Sequence, residues 1–364
     1  MSALPVEEPS PRAGEKGGLR IMTSRRVAII LFNLGGPDCL NAVRPFLFNL
    51  FNDEAIISAP QPFRFLLAQL VSRAREETAR ANYALIGGRS PILPETVKQA
   101  DALSAAIAAR VSNVTFKCFP AMRYWRPLVN DAAEAAKTWG ATDAILLPLY
   151  PQFSSTTTGS SLKAWRRASR LPSSTICCYP AGKKFAQAHA NAIMDVWREG
   201  GSPAQPRVLF SAHGLPQRVI DRGDPYQWQT EKTIAAVVTC LPADWEHRTC
   251  YQSRVGPLKW IGPSTGAELR TAAADGKGVI VSPISFVSEH VETLVELDIE
   301  HAQLARRLDL PFYLRAPALG ASTGFIDALA DLVERALDAP GQLQAENGGR
   351  LCPAAMSLCP KEAG

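Results

Sequence analysis

Five histidines occur in 364 residues, and one of them, His213, closes an apolar run, VLFSAH, directly before Gly214. A histidine at a strand end followed by glycine presents its ring where the backbone turns. A neutral imidazole in that position either ligates a transition metal or takes up a proton near neutral pH. A second group lies further along, where Glu292, Glu296 and Glu300 recur every fourth residue behind Glu289 and His290. On a helix that spacing lines three carboxylates along one face, rising about 6 Å per step. Like charges so placed repel by roughly a few tenths of a kcal/mol per pair, and an ordinary solvated face has the same pattern. Val291, Leu294, Val295 and Leu297 between them argue for a partly buried row instead, which attracts divalent cations or relays protons. The order of Glu and His is not the HExxH pattern of zinc proteases.

Other segments suit a flat, anionic ligand. Arg123, Tyr124, Trp125 and Arg126 join cationic donors to aromatic faces, as a planar molecule with carboxylate substituents requires. Residues 45–70 carry five of the 14 phenylalanines, which describes either core helix or an apolar lip over a hydrophobic ligand, in reach of a membrane. The sequences GGPD and IGGRSPI supply backbone freedom, but neither is a dinucleotide fingerprint nor a phosphate loop.

These residues need elements to hold them. Hydrophobic residues at 46% and charged residues at 20% fit a globular chain of about two domains and exclude a disordered scaffold. A net charge of +5 without a dense basic run argues against nucleic acid. Apolar runs at 27–34, 114–119, 144–150, 175–179, 208–212, 248–252 and 279–286 predict strands. Helical patterns fall between them at 95–109, 130–139, 183–198, 226–239, 288–307 and 322–336. This alternation predicts an α/β protein with two parallel sheets flanked by helices. We expect a disordered leader over 1–25, a first half over 26–172 joined by helix 322–338, a second half over 173–321, and a flexible tail over 340–364. In such sheets ligands collect beyond the carboxyl ends of the strands, where the residues above fall.

In order along the chain, LFNLGGPD, IGGRSPI, MRYWRP, YPQFSSTTTGSS, FSAHGLP with DRGDPY, YQSRVGPLKWIGPST and PISFVSEHVETLVELDIE are similar to segments of the ferrochelatases, the enzymes that end haem synthesis. The resemblance spans about 27–337. It implies two Rossmann-like, chelatase-type domains with a porphyrin cleft between them. It also implies insertion of Fe2+ into protoporphyrin IX with release of two protons. It carries the family's metal-facing histidine onto His213 and its essential glutamate onto Glu292, with His290 beside it. Glu289, Glu296 and Glu300 fall on an acidic path for metal or protons. Ile57, Arg123, Tyr124 and Trp260 fall on porphyrin-lining positions, and Ser211 joins them from the strand end before His213.

Iron is then a substrate, and no resident cofactor is required. Relatives that bind a [2Fe-2S] cluster use one cysteine in the YPQ segment and three near the C-terminus. Here the first position is Ser155 and the tail offers only Cys352 and Cys359, so no cluster is expected unless Cys177 or Cys178 is recruited. Eight scattered cysteines and the lack of an apolar signal core in residues 1–26 point to the cytoplasm, with peripheral contact to the inner membrane or to porphyrin-supplying enzymes. The rival readings are a zinc hydrolase built on His213, His290 and Glu292, a porphyrin carrier that inserts no metal, and a chelatase for another tetrapyrrole or for cobalt.

Overall fold

The computed structural model describes residues 25–253, 256 and 258–361; the leader expected over 1–25 lies outside them except for Arg25. The chain begins with β1 (Arg26–Asn33), α1 (Val43–Phe51), α2 (Phe63–Leu85), α3 (Ile92–Ala108), β2 (Thr115–Met122), α4 (Val129–Thr138), β3 (Asp143–Pro148), α5 (Thr158–Ala168) and β4 (Ser173–Cys178). After α6 (Lys183–Glu199) come β5 (Arg207–His213), α7 (Gln217–Asp221), α8 (Tyr226–Val238), β6 (Glu246–Gln252), α9 (Thr265–Ala274) and β7 (Val279–Ser282). A π-helix (Glu292–His301) runs into α10 (Ala302–Arg307), and β8 (Tyr313–Arg315), α11 (Thr323–Asp338) and β9 (Leu343–Ala345) close the chain.

All strands pair in parallel, in the orders β2-β1-β3-β4-β9 and β6-β5-β7-β8. The central strands read as near-continuous apolar runs because helices cover both faces: Val27 through Phe32 are each fully buried. In both sheets the strand order reverses beside the first strand, and such switch points open a crevice at the carboxyl ends. His213 ends β5 at the second of these, and the chain leaving its neighbour β7 leads to Glu292.

Two expected boundaries are corrected. The break at 172 separates nothing, because β4 pairs with β3 and belongs to the first sheet; Pro172 and the serines only shape the turn into it. The second sheet starts after α6. The tail is ordered through Lys361: β9 adds an edge strand beside β4, and Cys352 is buried. The last helix does return to the first half. Phe325, Leu329 and Val333 of α11 are fully buried in a core shared with Leu103 and Ile107 of α3 and Phe185 of α6, each side chain contributing about 1.5–3 kcal/mol.

Buried polar contacts fix the halves against each other. Gln99 donates its Nε2 to the carbonyls of Val287 at 2.7 Å and Gly320 at 3.0 Å, and accepts from Ser288 Oγ at 3.1 Å. Gln152 donates to Thr233 Oγ1 at 2.9 Å. The two glycine motifs serve packing: a Cβ on Gly36 would sit 2.4 Å from Ser90 Oγ, where the amide of Ser90 donates to the carbonyl of Pro37 at 2.7 Å.

Candidate active site

His213 is held from two sides. Tyr226 donates its hydroxyl to the His213 carbonyl at 2.9 Å, fixing the strand end, and His213 Nδ1 lies 2.8 Å from Glu292 Oε2. With Nδ1 committed, Nε2 is the ring nitrogen left without a hydrogen bond among the described residues. The same Glu292 oxygen is 3.5 Å from His290 Nε2, so one carboxylate serves both imidazoles. Burial alone would raise the Glu292 pKa, but the charges and hydrogen bonds of His213 and His290 outweigh it and hold the carboxyl well below the usual range. Burial likewise works against a charged His213, and the carboxylate of Glu292, with Glu296 beyond it, raises its pKa above the ordinary value all the same. Both shifts favour the charged forms, an imidazolium beside a carboxylate, a pairing that exchanges a proton without creating an isolated charge.

The acidic residues lie on wide π-helical turns rather than on the α-helix expected over 288–307. Long π-helices are rare and concentrate at functional sites. Side chains brace this one: Gln252 donates to the Glu292 carbonyl at 2.8 Å, His301 Nδ1 to that of Glu296 at 2.6 Å, and Tyr313 to that of Leu297 at 2.8 Å. Glu296 accepts from the Ser253 amide and hydroxyl, both at 2.7 Å, and from Gln252 Nε2 at 3.2 Å. Glu300 is exposed. The row thus steps from the histidine pair through a braced carboxylate to solvent.

Across the cleft, Tyr83, Tyr124, Phe46 and Leu47 form a cluster that extends through Ile56 and Trp125 to Val291, next to Glu292. Arg123 emerges here, held by Asp53 Oδ2 at 2.8 Å and Ser160 Oγ at 2.7 Å. Ile57 is half-buried at the end of the turn whose amide donates to the Asp53 carbonyl at 2.9 Å. Trp260, also half-buried, bridges to Pro216 just beyond His213, and its Nε1 has no hydrogen-bond partner among the described residues.

A sequence profile of the ferrochelatases matches residues 26–337. The chain belongs to that family. A ferrochelatase of Phenylobacterium zucineum (strain HLK1) is 55% identical over 92% of this chain and 97% of its own length, and one of Caulobacter vibrioides (strain NA1000 / CB15N) is 54% identical over 93% and 98%. Among solved structures, the multi-domain protein DR2241 of Deinococcus radiodurans, described as similar to chelatases, aligns with a TM-score of 0.51 at 14% identity over 92% of this chain and 59% of that one, which speaks for the fold alone.

Within this ferrochelatase fold, three expected site residues take other places. Ser211 is fully buried and cannot line a porphyrin; its hydroxyl donates to Gln252 Oε1 at 2.7 Å and so orients the amide that braces the π-helix. Tyr124 is 1% exposed, with its hydroxyl donated to Asp53 Oδ2 at 2.9 Å, and supports Arg123 from behind. Glu289 leaves the acidic path: Arg315 holds it at 2.6 Å and the Ala318 amide at 2.8 Å. Asp53 was missed in the sequence, where only the adjacent acids Asp53 and Glu54 between two apolar stretches marked it. The tail thiols also have company. Gln229 Nε2 donates to Cys178 Sγ of β4 at 3.4 Å and to Cys352 Sγ at 3.1 Å. Among the described residues no helix is long and apolar enough to cross a membrane.

Proposed function

We propose that this chain is a ferrochelatase that inserts Fe2+ into protoporphyrin IX, with His213 and Glu292 at the reacting centre. The reaction strips water from the iron, takes two protons from pyrrole nitrogens and forms four nitrogen–iron bonds. No covalent nucleophile and no resident cofactor enter that balance, because iron is the substrate. His213 Nε2 faces the macrocycle and accepts a pyrrole proton once the pair has discharged its own. Glu292 retains a negative charge as that proton arrives, and Glu296 and Glu300 pass it toward solvent. Oxygen and nitrogen donors from Glu292, His290 and His213 suit ferrous iron entering on the same path. Arg123, fixed by Asp53, meets a porphyrin carboxylate, while Ile57 and Trp260 supply apolar wall.

The 2.8 Å contact between His213 Nδ1 and Glu292 Oε2, made at the carboxyl ends of neighbouring strands, carries this reading. Its test is anaerobic incubation of the purified chain with protoporphyrin IX and Fe2+, followed by the haem spectrum. His213→Ala should lower turnover by about 10² or more while leaving the circular dichroism unchanged. Retention of a tenth of the wild-type rate would remove His213 from the centre.

The chain works in the cytoplasm at a membrane surface. Phe63, Phe65, Leu66, Leu67 and Leu70, in the first two turns of α2, are 42–67% exposed beside the cleft. An apolar face of this kind, on the helix that carries Tyr83 to the site, suits delivery of a hydrophobic macrocycle from lipid.

A further inference from the structure

One buried residue reaches both members of the His213–Glu292 pair. Gln252 closes β6 opposite His213 in the parallel register, and its carbonyl accepts the Gly214 amide at 2.8 Å, so its backbone fixes the turn that leaves His213. Its side chain reaches the π-helix, where Nε2 donates to the Glu292 carbonyl at 2.8 Å and to Glu296 Oε2 at 3.2 Å. Both amide hydrogens are then spent, one on the backbone of the reacting glutamate and one on the next carboxylate of the row.

The amide has a single orientation. Its Oε1 accepts the Ser211 hydroxyl at 2.7 Å, and Ser211 Oγ lies 2.8 Å from Thr265 Oγ1. A hydroxyl carries one proton, and that of Ser211 goes to Gln252, so Thr265 is the donor to Ser211. Donation therefore runs one way, from Thr265 to Ser211 to Gln252 to Glu292 and Glu296. Turning the amide over would set Oε1 against a carbonyl and a carboxylate, acceptors with no proton among them. Thr265 and Ser211 are fully buried and Gln252 nearly so, which leaves no water to replace a missing partner. Thr265 is itself anchored as the first residue of α9, behind Ser264, whose Oγ accepts the Ala267 amide at 3.2 Å.

The sheet does not depend on this network. β5 and β6 pair along their whole length, from Arg207 with Glu246 to His213 with Gln252, and Phe210, Ala212 and Tyr251 fill the core beside it. A fully satisfied buried polar network instead specifies one arrangement of the groups it touches. Here those groups are the strand end of His213 and the two carboxylates that follow it. The Ser211 carbonyl adds a further hold, accepting the Ile284 amide at 3.0 Å on the segment that leads from β7 to Glu292. We propose that Gln252 is a positioning residue of the reacting centre, its amide fixed by Ser211 and Thr265, which sets the separation of Glu292 from His213 and keeps Glu296 in line behind them. Its consequence for rate rests on the chelatase reading of this site, whereas its consequence for geometry rests on the His213–Glu292 contact alone.

Gln252→Leu, Gln252→Glu, Ser211→Ala, Thr265→Val and Thr265→Ser in the full chain test this role. Gln252→Glu keeps the shape, but its carboxylate offers no hydrogen to Glu292 or Glu296. The two Gln252 variants should lower kcat for haem formation by about 10–100-fold, the range for residues that support a metal-site ligand. Ser211→Ala and Thr265→Val should lower it by about 2–10-fold, the worth of one neutral hydrogen bond. KM for porphyrin should not change, and Thr265→Ser, which keeps the hydroxyl, should retain the wild-type rate. A second measurement needs no turnover: the ring nitrogen shifts of the metal-free chain labelled with 15N-histidine, at one pH. With five histidines, His213 is assigned by its disappearance in His213→Ala. Its Nδ1 shift should move in Gln252→Leu and Thr265→Val and stay in Thr265→Ser. An unmoved shift in Gln252→Leu, or an unchanged kcat with only the urea midpoint lowered, would overturn the assignment, because a purely structural residue gives that result. If Gln252→Leu does not fold, Thr265→Val, which leaves Gln252 in place, decides on the same readouts. A wild-type chain that forms no haem fails the chelatase reading, and the nitrogen shifts then judge Gln252 by themselves.

Discussion

Replacing the three glutamates of the π-helix one at a time by glutamine tests the site at graded distance from His213. Glu292→Gln removes the anion 2.8 Å from His213 Nδ1 and leaves an amide that cannot stabilise an imidazolium. The loss expected of a positioned acid–base group is about 10²–10⁴-fold, or about 2.7–5.4 kcal/mol of barrier. Glu296→Gln keeps the shape but weakens three hydrogen bonds to a charged acceptor, from the Ser253 amide and hydroxyl and from Gln252. One such bond contributes about 1.5–3 kcal/mol, so a loss of about 10–100-fold follows if one bond's worth reaches the transition state. Glu300 is exposed, and Glu300→Gln should stay within about threefold, the range of a surface substitution. Initial rates of haem formation under anaerobic conditions, with porphyrin and iron varied separately, give kcat and KM for each. Equal losses at all three positions, or the greatest loss at Glu300, would refute the stepwise path.

Asp53→Asn strips the buried partner from Arg123, Tyr124 and Ser160; a loss of about 3 kcal/mol in urea unfolding and a raised KM for porphyrin are expected, and an unchanged midpoint would contradict the network. His189 is 1% exposed in α6 and burial lowers its pKa to about 3, so the folded state resists a proton that the unfolded chain takes up below about 6.5. Stability should therefore fall by about 2 kcal/mol between pH 6.5 and 5 through this group alone, and His189→Leu should flatten that limb of the urea midpoint against pH. Leu66→Asp with Leu70→Asp should weaken sedimentation with anionic phospholipid vesicles by tenfold or more, two leucines being worth about 1.5–3 kcal/mol each, with haem formation from detergent-dispersed porphyrin retained; equal binding would leave the apolar face unexplained.

Much of the architecture was legible because buried parallel strands leave continuous apolar runs: the seven predicted strands all exist, shifted by a few residues at their ends. What escaped was short or paired at long range. Tyr313–Arg315 and Leu343–Ala345 are too brief to show a period, and β4 was assigned to the wrong sheet because partner choice depends on tertiary packing. At the candidate site, His213 and Glu292 were singled out by type and position, and the structure brings them 2.8 Å apart. The supporting layer was not, since Ser211, Gln252 and Asp53 act through burial and contact with residues far along the chain. The π-helix was hidden as well, for its residues keep an α-like apolar pattern while their hydrogen bonds run to wider turns.

The position of α11 and β9 makes this chain a late folder on the ribosome. The first half is synthesised early, yet one face of its sheet waits for Phe325, Leu329 and Val333, and its β4 edge stays unpaired until Leu343–Ala345 emerges. Until then an apolar sheet face and an open strand edge are both available to other nascent chains, the two features that most favour misassembly. A nascent chain stopped before residue 323 should accordingly stay bound to chaperones or remain protease-sensitive, and one extended past residue 345 should fold to the native state on release.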